Sequence, residues 1–328
     1  KSIAITGTNG KSTTAKILFD VLLDQKKDVR LVGNIGNPIL SEKKITKKTF
    51  FVIETSSYQL DYSQLFSSKY SFILNISPDH IERHGNLKNY TNAKFKLVEA
   101  QNKKAFSYLN GENRFINKKL KTKKFNCKII KVYKKNYEHF FKKIKNDHFL
   151  ISNNKENLSF IFEISKKLKL NNKLLLKTLQ NFKGLKYRQQ IIYKKKNLTI
   201  INDSKSTSFS SSKDILKSKL NILWLVGGIF KKGDKLNLKK IDLLNVEAFI
   251  YGKNKTPFNK ELKNKVKIKN FDNLNKAIKE IFKFIKKKRF IHWTILFSPC
   301  AASFDTFKNF EERGYYFNKL IKRYLNGI

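Results

Sequence analysis

The 328-residue sequence predicts an α/β protein of two doubly wound domains, and three observations carry that expectation. Short, nearly continuous apolar runs alternate with longer helical patterns in both halves, as buried parallel strands alternate with the helices that cross between them. The first run passes through a Gly-containing loop straight into a helix. Helical segments 155–168 and 172–181 then end at Gly184, a helix stop that divides the chain into domains 1–184 and 185–328.

In chain order, strand Ser2-Ile3-Ala4-Ile5-Thr6 leads through its loop to a helix at 12–23. Strands are expected at 49–54 and 70–76, both apolar almost throughout, then a helix at 87–101 and a strand at 105–109. Segment 112–150 is rich in Lys and Asn and has no clear period. The second half repeats the alternation with strands at 198–202, 221–226, 247–251 and 293–297. Between the last two, Leu274, Ile278, Ile281, Phe282 and Ile285 form an apolar helical stripe.

Composition narrows the function. The net charge is +45, which first suggests nucleic acid or an anionic membrane. Of the 70 basic residues, however, only seven are Arg, the side chain best shaped to read phosphates and base edges. The lysines are scattered along the whole chain beside abundant Asn, Ile and Phe, a bias that AT-rich codons also produce. A specific nucleic-acid role is therefore not expected. No apolar run is long enough for a membrane span, and no signal peptide opens the sequence. Cys127 and Cys300 lie far apart without metal-ligand spacing, which fits a reduced cytoplasm. The chain has no Met and begins directly on a strand, so a segment upstream is expected.

Gly7-Thr8-Asn9-Gly10-Lys11-Ser12-Thr13 lies between a strand and a helix and reads as a phosphate cradle. Its glycines let backbone N–H groups turn toward phosphate oxygens, and the helix N-terminus adds free donors and a positive dipole end. Lys11 brings charge to the outer phosphates, and Ser12 a hydroxyl for Mg²⁺. Ile5 stands where a standard phosphate loop has its first glycine, so this loop is built differently. Glu54 closes one strand and His80 follows another, placing a carboxylate and an imidazole near the same sheet edge as candidate metal groups.

These segments, with Gly33-Asn34-Ile35-Gly36, Glu54-Thr55-Ser56-Ser57-Tyr58-Gln59-Leu60 and Asn75-Ile76-Ser77-Pro78-Asp79-His80, occur in the order found in the Mur ligases, which the chain resembles over nearly its whole length. Two later segments resemble the D-glutamate-adding branch: Ile201-Asn202-Asp203-Ser204-Lys205-Ser206-Thr207, and the stretch from Ser298 to Gly314. The resemblance implies a P-loop-type central ATPase domain followed by a C-terminal Rossmann-like, doubly wound domain. It also implies a cytoplasmic, monomeric enzyme acting on ATP, D-glutamate and UDP-N-acetylmuramoyl-L-alanine with two Mg²⁺ ions. An N-terminal domain that grips the UDP group is expected upstream.

Residue by residue, the resemblance assigns catalysis to Lys11, His80, Lys94 and Lys205, and nucleotide contacts to residues 7–13, Asn154, Asn157, Arg188 and Asp203. It gives Ser12, Glu54, His80 and Lys94 to the metals, Lys94 as a carbamate, the oxygen donor an ammonium cannot be. Asn34 would lie by the muramoyl substrate, and Thr207, Lys231, Ser303, Phe304 and Phe310 around the amino acid, with Lys232 an alternative to Lys231. Ser208 and Tyr187 replace the family's usual Asn and His. The competing readings are a ligase of the folate-polyglutamylating kind and, from another class, a basic nucleic-acid-binding ATPase.

Overall fold

The computed structural model describes residues 1–149, 152–195, 197–218, 220–288 and 290–326, apart from the side chains of residues 147 and 152–154. It contains two compact units, Lys1–Phe182 and Lys183–Ile328.

In the first unit β1 (Ser2–Thr6), β2 (Val29–Gly33), β3 (Phe50–Glu54), β4 (Tyr70–Ile73), β5 (Phe106–Asn110) and β6 (Lys128–Val132) form a parallel sheet in the order β2-β3-β1-β4-β5-β6. The helices are α1 (Lys11–Asp24), α2 (Ser57–Tyr62), α3 (Ile81–His84), α4 (Leu87–Glu99), α5 (Arg114–Thr122), α6 (Glu138–Phe141), α7 (Ser152–Lys167) and α8 (Asn172–Asn181). Ile3, Ala4 and Ile5 of β1 are fully buried, which is why that strand is apolar without alternation. Ile5 pairs with Glu54 of β3 on one side and Phe72 of β4 on the other. The winding reverses at β1, so its carboxyl end opens into the crevice where such sheets take ligands.

In the second unit β7 (Gln190–Lys195), β8 (Leu198–Asn202), β9 (Asn221–Val226), β10 (Val246–Tyr251), β11 (Lys267–Phe271) and β12 (Trp293–Phe297) run in the order β11-β10-β9-β12-β8-β7. All pairs are parallel except the β7–β8 hairpin. Helices α9 (Phe209–Leu216), α10 (Thr256–Leu262), α11 (Leu274–Lys287) and α12 (Phe310–Leu325) complete it. The stripe seen in the sequence is the buried face of α11, where Leu274, Ile278, Ile281 and Phe282 pack onto the sheet core.

One expectation needs correcting. The strand drawn over 70–76 ends at Ile73. Leu74 still donates to Thr6 O, but Asn75 then turns to the phosphate loop, so an apolar run outlasts the ladder. The segment without a clear period, 112–150, holds α5 and β6. The Asn content of the chain also has a structural use: Asn86, Asn113, Asn171, Asn273 and Asn309 cap α4, α5, α8, α11 and α12 through side-chain oxygens. Each such cap is worth about 1 kcal/mol over Ala.

His148 is wedged against Phe149 and Phe182, with ring centroids 5.2 Å away in both cases. Burial pushes its imidazole down to about 4. Because the folded value lies below the ordinary 6.5, the unfolded chain binds the proton first. Stability is then full above pH 6.5 and falls as the pH drops toward 4, by roughly 3 kcal/mol for this group. Urea unfolding at pH 7 and pH 4.5 should show a smaller pH effect in His148→Phe than in the parent chain.

Candidate functional site

The phosphate loop leaves β1 with Gly7 at φ 156° and enters α1 through Gly10 at φ 83°, a left-handed turn. The positive φ favours glycine, and a Cβ at Gly10 would stand 2.2 Å from Asn157 Nδ2, so any larger residue would also have to displace the Asn157 side chain. The loop is held from the β4–α3 connection. Asn75 Oδ1 accepts from Asn9 N (2.8 Å), Asn75 Nδ2 donates to Asn9 O (3.2 Å), and Thr8 N donates to Asn75 O (2.9 Å). Thr8 Oγ1 donates to Ser77 O and accepts from Ser77 N, at 3.2 and 3.0 Å. A loop fixed this way can present its N–H groups without reorganising when an anion arrives.

Two lysines meet at one carbonyl. Lys11 Nζ donates to Gly7 O and Thr8 O, both at 2.8 Å, and Lys94 Nζ, from α4, donates to Gly7 O at 2.8 Å. Lys94 is 1% exposed and its Nζ lies 4.5 Å from the centre of the Tyr90 ring. Tyr90 OH in turn sits 3.1 Å from Thr8 Oγ1. Burial, reinforced by the neighbouring charge of Lys11, holds the Lys94 amine well below the usual lysine range. The lower an amine's pKa, the more of it is in the nucleophilic, uncharged form beside the phosphate cradle.

Glu54 is buried at the end of β3. Its Oε1 accepts from Asn34 Nδ2 (3.0 Å), while Oε2 has no hydrogen-bond partner. Ser12 is buried at the start of α1, and Thr6 Oγ1 is a second unpartnered oxygen at the end of β1. Orphaned hard oxygens beside a phosphate loop are suited to Mg²⁺. His80 has φ 51° and places Nδ1 3.2 Å from Tyr58 OH, with Asp79 and Glu82 carboxylates 3.5 and 3.7 Å from its ring nitrogens. Among the described residues, no three His, Cys, Asp or Glu side chains gather for a metal. Any ion here would need phosphate oxygens or water to fill its shell, the usual condition for Mg²⁺. Asn157 is buried with Oδ1 unpartnered. Asn154 falls within α7, but its side chain is outside the described residues.

In the second unit the remaining candidates cluster at the carboxyl ends of β8, β9 and β12. Asp203 is buried; its Oδ1 accepts from Gln189 N (3.1 Å) and Oδ2 from Ser298 Oγ (2.8 Å). Burial pushes its carboxyl up to about 7, against these hydrogen bonds and the charges of Arg188 and Arg313. Lys205 Nζ lies 3.8 Å from the centre of the Phe310 ring. Ser303 is buried, Thr207 and Lys231 are exposed, and Phe304 is 72% exposed. Sequence reasoning passed over Arg313, which is 1% exposed and joins the two segments around this cluster. It donates to Ser204 O (2.7 Å), Ala301 O (2.9 Å) and Ser204 Oγ (3.1 Å). Asn75 and Tyr90 were passed over for the same reason: their partners are tens of residues away.

A phosphate loop at the winding reversal of a parallel sheet, flanked by a buried acid and a buried lysine, defines an α/β enzyme that uses a nucleoside triphosphate. The Mur ligase middle domain matches residues 5–138. UDP-N-acetylmuramoylalanine–D-glutamate ligase of Rickettsia bellii is 32% identical over 97% of this chain and 75% of its own length. The enzyme of the same name from Rickettsia felis is 33% identical over 99% and 76%. Among solved structures, MurF from Thermotoga maritima in complex with ADP covers 100% of this chain and 80% of its own at a TM-score of 0.66 and 14% identity, a likeness of fold. The chain belongs to the Mur ligases, a family of ATP-dependent enzymes that form carbon–nitrogen bonds.

Proposed function

We propose that the chain joins the amine of D-glutamate to the carboxylate of UDP-N-acetylmuramoyl-L-alanine, using ATP, in the cytoplasm and as a monomer. The observation that carries this reading is the identity to ligases of that name across nearly the whole chain. Among the described residues no helix is long and apolar enough to cross a membrane, which is compatible with small soluble substrates.

The chemistry runs in two steps. A carboxylate oxygen of the muramoyl substrate attacks the γ-phosphorus of ATP, and the bond to ADP breaks, leaving an acyl phosphate. The nitrogen of D-glutamate then attacks the carbonyl carbon. Phosphate leaves with the electron pair of the C–O bond, and the nitrogen gives up a proton. Lys11 and the N–H groups of residues 10–13 would offset the charge that gathers on the phosphates. Mg²⁺, held by Ser12, Glu54 and a carbamate on Lys94, with His80 in support, would supply further neutralisation between the two anions. By the same resemblance, Asn154, Asn157, Arg188 and Asp203 would fix the nucleotide. Lys205, Thr207, Lys231, Ser303, Phe304 and Phe310 would shape the amino-acid pocket, and Asn34 would face the muramoyl group.

Phosphate release measured with ATP and UDP-N-acetylmuramoyl-L-alanine tests the reading. Release should depend on D-glutamate and be much weaker with L-glutamate or other amino acids. Equal release with all of them, or release stimulated by RNA instead, would overturn it.

A further inference from the structure

The loop that follows β9 carries Lys231, and its two ends are tied to different parts of the second unit. At the near end, Ile229 exchanges both backbone hydrogen bonds with Ala302, at 2.9 and 3.1 Å, one residue before Ser303. This approach needs Gly228, and Gly227 ahead of it runs equally close to β10. A Cβ at Gly227 would lie 2.2 Å from Tyr251 O, and one at Gly228 2.5 Å from Ala302 O. At the far end, Asp234 Oδ2 accepts from Phe209 N at 2.8 Å. Phe209 is the first residue of α9, two after Thr207.

The second tie replaces something missing locally. Ser208 is the N-cap of α9, yet its side chain makes no cap hydrogen bond; it pairs with Ser210 Oγ at 2.9 Å. A first-turn N–H of α9 is therefore satisfied by a carboxylate from the loop 25 residues on. The ring of Phe230 reinforces the link, with centroids 6.0 Å from Phe209 and 5.1 Å from Phe258. Asp234 N also donates to Lys231 O at 3.0 Å, closing a turn that fixes the backbone of Lys231 itself.

We propose that Asp234 is a positioning residue for the amino-acid pocket: it holds the Lys231 turn against the start of α9, and so sets Lys231 relative to Thr207. The inference rests on the reading of Lys231 and Thr207 given above. Asp234 acts through these neighbours and touches no reacting atom. Burial pushes its carboxyl above the ordinary value, against the backbone N–H groups of Phe209 and Lys235 and the charge of Lys231.

The test is steady-state kinetics on the full chain, varying D-glutamate and ATP separately, beside thermal melts. Asp234→Ala should raise KM for D-glutamate by about tenfold, the loss that one helix cap supports, with KM for ATP changed less than about twofold. Asp234→Asn, whose side-chain oxygen accepts the same N–H, should restore most of it. If Asp234→Ala does not fold, Asp234→Glu, which keeps the charge but lengthens the tether, should show the same split between substrates. Lys231→Ala separates the two levels of argument. If it raises KM for D-glutamate while the Asp234 variants do not, or if those variants raise both KM values equally, the positioning role is overturned and the pocket stands. If Lys231→Ala leaves KM for D-glutamate unchanged, the pocket reading and the role of Asp234 fall together.

Discussion

Lys11→Ala should lower ATP-dependent phosphate release by about 10³-fold. A unit charge ~4 Å from a phosphate oxygen, in surroundings of effective dielectric ~20, is worth about 4 kcal/mol, or roughly three powers of ten in rate. Much of that must be expressed in the transition state. Charge on the γ-phosphoryl group shifts to ADP only as its bond breaks, and the incoming carboxylate is itself an anion. Lys11→Arg should recover little, because Nζ is seated at two carbonyls 2.8 Å away and a planar fork cannot occupy that position. The fold should not notice the change. Lys11 is only half-buried at the start of α1, and the melting temperature should stay within about 3 °C. Phosphate release and a thermal melt on the same preparation check both halves. A loss below tenfold, with the melt unchanged, would remove Lys11 from the reaction.

What the sequence disclosed follows from how far each interaction reaches along the chain. β1, β3 and β9 were legible because strands covered on both faces leave a run of apolar residues, such as Ile3-Ala4-Ile5. α11 was legible because a helix with one wet face leaves a stripe. Edge strands were not. β6 reads Lys-Ile-Ile-Lys-Val and β11 Lys-Ile-Lys-Asn-Phe, since an edge must carry charge to discourage further pairing. α2 and α3, with six and four residues, are too short to show any period. The phosphate loop was visible because its chemistry sits within seven consecutive residues. Its supports were not: Asn75 reaches back 66 residues to Asn9, Arg313 reaches 109 to Ser204, and Asp234 reaches 25 to Phe209. Lys94 shows the limit most sharply. Composition makes it one lysine in a chain of net charge +45; resemblance alone singled it out in the sequence, and its burial against Tyr90 and Gly7 O supplies the physical reason.

That burial leads to the second large effect. An ammonium at this position loses its hydration and faces Lys11, so the neutral amine is favoured. A neutral primary amine adds CO₂: its lone pair attacks carbon, one proton is released, and a carbamate with two oxygens results. Such an anion would relieve the repulsion from Lys11 and complete the oxygen donors that Glu54 and Ser12 begin. Ligase activity should therefore fall when CO₂ and bicarbonate are stripped from the assay and return when bicarbonate is restored, and ¹³C-bicarbonate should give a carbamate resonance that Lys94→Met lacks. Lys94→Met itself should lower activity by about 10²–10³-fold, the scale on which one preorganised electrostatic group acts. Its effect on folding should have the opposite sign. In the unfolded chain Lys94 is protonated at neutral pH, whereas in the folded chain its pKa is depressed, so folding there works against proton binding and stability rises with pH. Methionine of similar length removes that penalty, loses the hydrogen bond to Gly7 O and keeps an apolar contact with the Tyr90 ring, leaving a melting temperature equal to or above that of the parent at pH 7. A variant that is inactive because it is misfolded would melt lower. One that is inactive and melts no lower marks Lys94 as a residue kept for the reaction at the expense of the fold.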